Sequence, residues 1–287
     1  MKELSGHTLP FAVLGHPIGH TLSPVMHNAS LRALGRDAIY LAFDVAPDQL
    51  LTVLPAMRAM GFGGVNLTVP LKEVAYAGFA DLDESAQLVG AVNTVAFPEA
   101  GGMRGYNTDG YGFLTAMQEA CGTSVEGQAV HVIGTGGAGR ALALVCARAG
   151  ARSLTCTDVD ATRAERVATE IRTATPDCPV TTVDAADQVA ATRAADIIIQ
   201  STPVGMRPED PPLLGSEAFR SGQLVFDLIY MYPETALMKA ARAAGAETAN
   251  GLGMLLHQGA RAYTIWTGDA PDTDAMRAAL EKAVYGE

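Results

Sequence analysis

Positive charge is scarce in this chain. Its 287 residues include 20 Lys plus Arg against 31 Asp plus Glu, a formal net charge of −11. Such a surface repels phosphate backbones, which excludes nucleic acid as an expected partner. It also makes a Lys or Arg near a polar cluster informative, because an anionic substrate needs local positive charge. Cysteine is sparse as well. Cys121, Cys146, Cys156 and Cys178 form no C-x-x-C pair, so neither a zinc site nor a redox motif is expected, and no metal is assigned. No apolar run reaches the roughly 18 residues that a membrane span needs, so no membrane partner is expected. The N-terminus has no basic stretch leading into a long apolar run, so no secretion signal is expected, and a cytoplasmic setting with reduced thiols is the default. No internal repeat and no long low-complexity stretch is found.

What is present is a globular composition, 48% hydrophobic and 18% charged, long enough for one large domain or two modest ones. Apolar strands alternate with helical patterns along the chain. Strands are predicted at 11–15, 39–45, 64–69 and 91–97, then at 128–133, 153–157, 196–200 and 224–228. Helices are predicted at 23–35, 48–60, 109–121, 137–149, 161–172, 252–267 and 273–285. Ser23 is expected to cap the first helix, with Pro24 at its first turn. Gly101-Gly102 reads as a turn, and the Ala-rich segment 185–195 as helix surface. Alternation of this kind implies right-handed crossovers and parallel sheet. The expected fold class is α/β with two domains and a cleft between them, since ligand pockets favour such places. Residues 1–108 plus 251–287 are expected to form a substrate domain, and 109–250 a Rossmann-like dinucleotide-binding domain.

Val130 to Arg140 reads as strand, glycine-rich turn and helix start. Gly134 permits the tight turn, and Gly136 lets the backbone approach a pyrophosphate at the positive end of the helix. The strand before and the helix after make the glycine pattern specific. About 20 residues on, the next strand ends at Asp158, where a carboxylate binds the adenosine ribose and repels a 2′-phosphate. This favours NAD over NADP. The competing reading is that Asp158 or Asp160 only caps the following helix.

Four polar clusters lie near the ends of short apolar runs. They are Thr21-Leu22-Ser23-Pro24, Asn66-Leu67-Thr68-Val69-Pro70-Leu71-Lys72, Ala91-Val92-Asn93-Thr94 and Asn107-Thr108-Asp109-Gly110. Together they hold hydroxyls, amides, one ammonium and one carboxylate, an inventory suited to a polyhydroxylated ring. Each also has a plain structural reading. Ser23 can be only a cap, Asn107 and Asp109 only turn formers, and Lys72 only a solvated charge.

On these motifs the chain resembles shikimate dehydrogenases from end to end. The resemblance takes in Gly15-His16-Pro17-Ile18, Met26-His27, Gly90-Ala91-Val92-Asn93-Thr94, Gly134-Thr135-Gly136-Gly137-Ala138 and Thr202-Pro203-Val204-Gly205-Met206. It continues through Asp227-Leu228-Ile229-Tyr230 and Asn250-Gly251-Leu252-Gly253-Met254-Leu255 with Gln258. It implies that Lys72 is the catalytic acid and base, with Asp109 beside it. It implies substrate contacts at Thr21, Ser23, Asn66, Thr68, Asn93, Tyr230 and Gln258. Gly134, Thr135, Gly136, Gly137 and Ala138 would form the pyrophosphate turn, Leu228 and Gly251 would neighbour the nicotinamide, and Glu84 would add a cofactor-side contact.

The implied activity is NAD- or NADP-dependent reduction of 3-dehydroshikimate to shikimate in aromatic amino acid and chorismate biosynthesis, by a monomer or homodimer. The competing activity is an NAD-dependent quinate/shikimate dehydrogenase of quinate catabolism. Three departures from the commonest pattern bear on that choice: Thr21 for Ser, Gln200-Ser201-Thr202 for Asn-Ala-Thr, and Asp158-Val159-Asp160 for Asn-Arg-Thr. A sensor without catalysis is disfavoured by the presence of both Lys72 and Asp109. His16 and His20 are four apart, but Pro17 and Gly19 between them disfavour a helix and with it a metal pair. His27, Tyr232 and Trp266 read as packing residues.

Overall fold

The structure, a computed structural model, describes residues 4–286. They form two compact units. One takes the chain as far as Gly112 and again from Leu255, and the other is Phe113–Met254.

The first unit begins with β1 (Leu9–Gly15), α1 (Ser23–Ala33), β2 (Ala38–Asp44), α2 (Leu50–Ala59) and β3 (Gly64–Leu67). It continues with α3 (Leu71–Gly78), α4 (Glu84–Val89), β4 (Thr94–Ala96) and β5 (Arg104–Tyr106), and α5 (Asp109–Cys121) starts in it. The sheet order is β2-β1-β3-β4-β5. β1 runs parallel to β2 and β3, but β4 is antiparallel to β3 and β5 to β4. The sheet is thus mixed, not wholly parallel as the alternation implied. A hairpin needs no crossover helix, and Gly101 and Gly102, both at positive φ (100° and 85°), turn the chain between β4 and β5.

Ser23 does not cap α1. It is the first residue of the helix, the cap position is Leu22, and no side chain bonds there. The Thr21 hydroxyl instead accepts from the Ser23 N–H at 3.3 Å. Edge strand β2 is met by an amide: Asn28 of α1 donates to Tyr40 O at 2.8 Å and accepts from Tyr40 N at 2.9 Å. The Tyr40 ring stacks on the neighbouring His27 at 4.2 Å between centroids. Burial alone holds the His27 imidazole neutral, its pKa lowered to about 3, so this histidine is a core ring.

The second unit contains β6 (Ala129–Ile133), α6 (Gly137–Arg148), β7 (Ser153–Thr157), α7 (Ala161–Ala174), β8 (Val180–Thr182), α8 (Gln188–Ala194) and β9 (Ile197–Gln200). β10 (Leu224–Asp227), α9 (Ala236–Ala243) and β11 (Glu247–Asn250) complete it. All six strands are parallel, in the order β11-β10-β9-β6-β7-β8. This is the doubly wound order of dinucleotide-binding sheets, with the reversal of direction between β6 and β9, and such sheets take ligands outside the C-terminal strand ends at that reversal. Strand cores such as Ile197, Ile198 and Ile199 are buried on both faces, as a helix-covered parallel sheet requires.

The chain re-enters the first unit within α10 (Leu252–Thr267) and ends with α11 (Thr273–Tyr285), which packs on α1. Trp266 of α10 lies flat over Gly64, where an added Cβ would come within 2.2 Å of the indole. Its Nε1 donates to Val95 O at 3.0 Å, so the packing role expected of Trp266 includes a satisfied indole N–H.

Candidate functional site

In the first unit the polar clusters converge by chain geometry. β3 ends at Leu67, the Thr68 carbonyl accepts from Leu71 N at 2.8 Å, and α3 starts there with Lys72 in its first turn. The Lys72 carbonyl accepts from Val92 N at 2.9 Å, which ties α3 to the segment leading into β4. The Lys72 ammonium then donates to Asp109 Oδ2 at 2.7 Å, with both side chains partly exposed (27% and 20%). Asp109 is the first residue of α5, and its N–H donates to Asn107 Oδ1 at 3.0 Å, so the turn-forming reading of Asn107 also holds. Its second oxygen, Oδ1, accepts from Asn93 Nδ2 at 2.9 Å.

Asn93 itself is fixed by Thr108, whose N–H donates to Asn93 Oδ1 at 2.8 Å. Asn66 on β3 donates to Asn93 O at 3.1 Å and Thr94 Oγ1 at 3.0 Å, and accepts from the Tyr40 hydroxyl at 2.7 Å. Both of its amide protons are thereby committed inside the protein. Four of the expected residues, Asn66, Lys72, Asn93 and Asp109, therefore form one continuous network. Thr94, Thr108 and Tyr40 complete it. Sequence reasoning gave none of these three a role, although Thr94 and Thr108 both stood inside the polar clusters it singled out; only Tyr40 lay outside them.

Of the other expected residues of this unit, Ser23 reaches that network through a side-chain hydrogen bond with Tyr40. Thr21 and Ser23 stand at the start of α1, and Thr68 packs its methyl toward Gly15, where an added Cβ would be 2.5 Å away. Gln258 lies on α10 with its Nε2 donating to Leu255 O at 2.9 Å. Glu84 opens α4, whose cap is Asp83.

In the second unit the glycine turn joins β6 to α6. Gly134 takes φ +87° and its N–H donates to Thr157 O. The Ser201 hydroxyl donates to Gly134 O at 2.6 Å. The first residues of α6 have no side-chain cap, and a Cβ built on Gly136 or Gly137 would meet nothing within 4 Å. Uncapped helix N–H groups beside an open, side-chain-free backbone fit a dinucleotide pyrophosphate.

Asp158, at the end of β7, accepts from Thr135 N at 2.7 Å and Thr135 Oγ1 at 2.9 Å on one oxygen. The other accepts from Asp160 N at 2.9 Å and Arg163 Nη1 at 3.3 Å. Burial pushes this carboxyl up, but the bonds from Asp160 and Thr135 and the Arg163 charge outweigh it and hold the group below its ordinary range. The helix cap is Asp160, which accepts from the N–H groups of Thr162 and Arg163. The two acidic residues therefore divide the roles: Asp160 caps and Asp158 braces the turn.

Leu228, Tyr230 and Gly251 lie on the loops at the C-terminal ends of β10 and β11. Leu228 and Gly251 touch, since a Cβ on Gly251 would stand 2.2 Å from Leu228 O. Burial raises the pKa of the Tyr230 phenol. Asp227, immediately before them, is fully buried and accepts from Ile229 N at 3.0 Å and the Thr235 hydroxyl at 2.7 Å. Burial pushes its carboxyl up to about 6, against the 3.8 of an unperturbed Asp.

A stability consequence follows from that shift. The folded state holds this proton more tightly than the unfolded chain. The associated stability is therefore full below about pH 4 and is lost as the pH rises through about 6. Asp227→Asn removes the titration. Relative to the variant, the wild type should lose on the order of 2–3 kcal/mol across that window, read from denaturant melts at each pH. Parallel pH profiles for the two proteins would show that Asp227 does not ionise there.

The likeness to known proteins spans the same elements. A family model described as the shikimate dehydrogenase substrate binding domain matches residues 13–95. One described as the shikimate 5'-dehydrogenase C-terminal domain matches residues 251–281. The shikimate dehydrogenase (NADP(+)) of Methanothermobacter thermautotrophicus is 40% identical, covering 98% of this chain and 99% of that protein. The shikimate 5-dehydrogenase structure from Listeria monocytogenes, in complex with shikimate and NAD, superposes with a TM-score of 0.91 at 33% identity, covering 98% and 99% of the two chains. The quinate dehydrogenase of Corynebacterium glutamicum, in complex with NAD, superposes with a TM-score of 0.87 at 33% identity, over 95% and 98%. With 40% identity sustained along nearly the full length of both partners, this chain belongs to the shikimate dehydrogenase family.

Proposed function

We infer that this chain interconverts 3-dehydroshikimate and shikimate with NAD or NADP, in the biosynthetic sense of ketone reduction. The observation that carries the reading is the Lys72 ammonium 2.7 Å from Asp109, whose other oxygen is held by Asn93. Reduction of a ring ketone builds negative charge on its oxygen, and a positioned ammonium stabilises that charge and supplies the proton. A bound nicotinamide supplies the hydride, both electrons of the new C–H bond. Lys72 Nζ gives its proton to the carbonyl oxygen as the hydride reaches the carbon. In the oxidation direction, neutral Lys72 takes the hydroxyl proton. Asp109 orients the ammonium and accepts from a neighbouring ring hydroxyl. Thr21, Ser23, Thr68, Asn93, Tyr230 and Gln258 would contact the remaining hydroxyls and the carboxylate. Asn66, with no N–H left to offer, contributes by fixing Asn93 and Thr94.

We assign the substrate to the first unit and the dinucleotide to the second, on the 134–138 turn with Leu228 and Gly251 at its nicotinamide end and Glu84 as a further contact. The cytoplasm, as monomer or homodimer, suits four cysteines that are all free thiols.

NAD is the favoured cofactor, because a carboxylate at the end of β7 repels a 2′-phosphate. A matrix of shikimate and quinate against NAD and NADP tests substrate and cofactor together. Shikimate with NAD should have the highest kcat/KM, ahead of NADP by about tenfold or more, the worth of roughly 1.4 kcal/mol of charge discrimination. Asp158→Asn should narrow that ratio. A clear NADP preference would overturn the assignment of Asp158, and faster turnover of quinate would overturn the substrate.

A further inference from the structure

Three strand ends stand side by side at the C-terminal edge of the second sheet. Gln200, Asp227 and Asn250 are in register on β9, β10 and β11. Each uses its side chain to clamp the loop that follows or lies beside it. Gln200 donates to Thr202 O at 3.1 Å and Val204 O at 2.9 Å, and accepts from Thr202 N. Asn250 donates to Tyr232 O at 3.3 Å and Pro233 O at 3.2 Å, and accepts from Leu252 N at 3.1 Å.

Two of these clamps are neutral amides, so clamping of this kind needs no charge. Asp227 differs. Its two partners are an N–H and a hydroxyl, and no ion pair reaches it among the described residues. An asparagine could satisfy the same two groups, since the Thr235 hydroxyl can accept as well as donate. Burying a carboxylate without a cation costs stability. The negative charge is therefore more than the loop requires.

Its place suggests what the charge does. Leu228 is the next residue, and its backbone lies against Gly251. On the functional reading above, these two residues border the nicotinamide. We propose that Asp227 is a positioning residue for the cofactor, whose buried negative charge favours the positively charged oxidised nicotinamide over the neutral reduced ring. Hydride transfer to the ring removes that positive charge. The carboxylate therefore weights the bound equilibrium toward the oxidised cofactor and the alcohol, which is the direction of ketone reduction. With its pKa pushed up only to about 6, the group is ionised at neutral pH and above.

The test is dinucleotide binding by the full chain at about pH 8, followed calorimetrically for NAD+, NADH, NADP+ and NADPH in the absence of substrate. Wild type should bind the oxidised form of its preferred dinucleotide at least as tightly as the reduced form. Asp227→Asn should weaken the oxidised form about tenfold, the scale of one charge several ångströms away in a partly screened medium, and change the reduced form less than about twofold. Its melting temperature at that pH should stay level or rise. Asp227→Ser, which keeps an acceptor for Ile229 N–H, should shift the ratio the same way. Thr235→Val removes a clamp partner but not the charge, and should leave the ratio within about twofold. Tighter binding of the reduced form by wild type, equal weakening of both forms in the Asp227 variants, or a ratio shift in Thr235→Val would each overturn the proposal. Failure of wild type to bind any of the four dinucleotides would instead overturn the functional reading on which it rests.

Discussion

Replacing Lys72 by alanine should lower kcat by about two to four orders of magnitude, with the KM for shikimate within about threefold of wild type. The ammonium is the cation of the Lys72–Asn93–Asp109 network, and on the proposed mechanism its proton is the one the ketone oxygen needs. Substrate hydroxyls would still find Asn93, Thr68 and the Asp109 carboxylate. The lost interaction therefore belongs to the transition state more than to binding. Lys72 is partly exposed, so truncation opens no sealed cavity and the melting temperature should move little. Steady-state kinetics in both directions check this. A variant turning over at near wild-type speed would remove Lys72 from the chemistry.

Alanine at Gly139 should both destabilise the protein and weaken dinucleotide binding. Its Cβ would stand 2.0 Å from Gly134 O and 2.3 Å from the Ser201 hydroxyl oxygen, so α6 and the glycine turn could not keep their present contact. Overpacking of this sort costs about 1–3 kcal/mol, and the displaced turn should raise the dinucleotide KM about tenfold or more. Gly136→Ala provides the contrast. Its Cβ would meet no protein atom and its φ of −64° is ordinary, so stability should hold within about 0.5 kcal/mol. Its dinucleotide KM should nonetheless rise, because the methyl would occupy the space left for the pyrophosphate. Chemical melts together with cofactor titrations separate the two cases. Intact binding by both variants would remove the turn from the cofactor site.

The regular parts of this architecture were open to sequence reasoning where hydrophobic period and punctuation agreed. Predicted helices at 109–121, 252–267 and 273–285 coincide with α5, α10 and α11, and the predicted strand 153–157 coincides with β7. Elements held mainly by their neighbours were not legible. β5 (Arg104–Tyr106) and β8 (Val180–Thr182) are three residues each and gain strand character from their neighbours, β5 from β4 and a bridge to Leu82, and β8 from β7. α3 begins directly after Pro70, where no helix was expected, yet it is the helix that carries Lys72.

That Lys72 and Asp109 would lie side by side was legible through residue type and family likeness. What holds them there was not: Tyr40 reads as an ordinary strand aromatic, and its hydroxyl bond to Asn66 depends on β2 and β3 both flanking β1. Asp227 was legible as part of a motif, but its lack of a counter-ion is a property of the packed sheet.

The Asn28 side chain on Tyr40 has a meaning beyond the fold of one molecule. Outer strands with idle peptide groups are templates on which foreign chains can extend a sheet and begin to aggregate. Here a side-chain amide stands in for the absent neighbour at mid-strand, close to the partly exposed Leu41 and Phe43. Any intruding strand would first have to evict that amide, so the most exposed edge of the first sheet is closed at its middle by a single side chain.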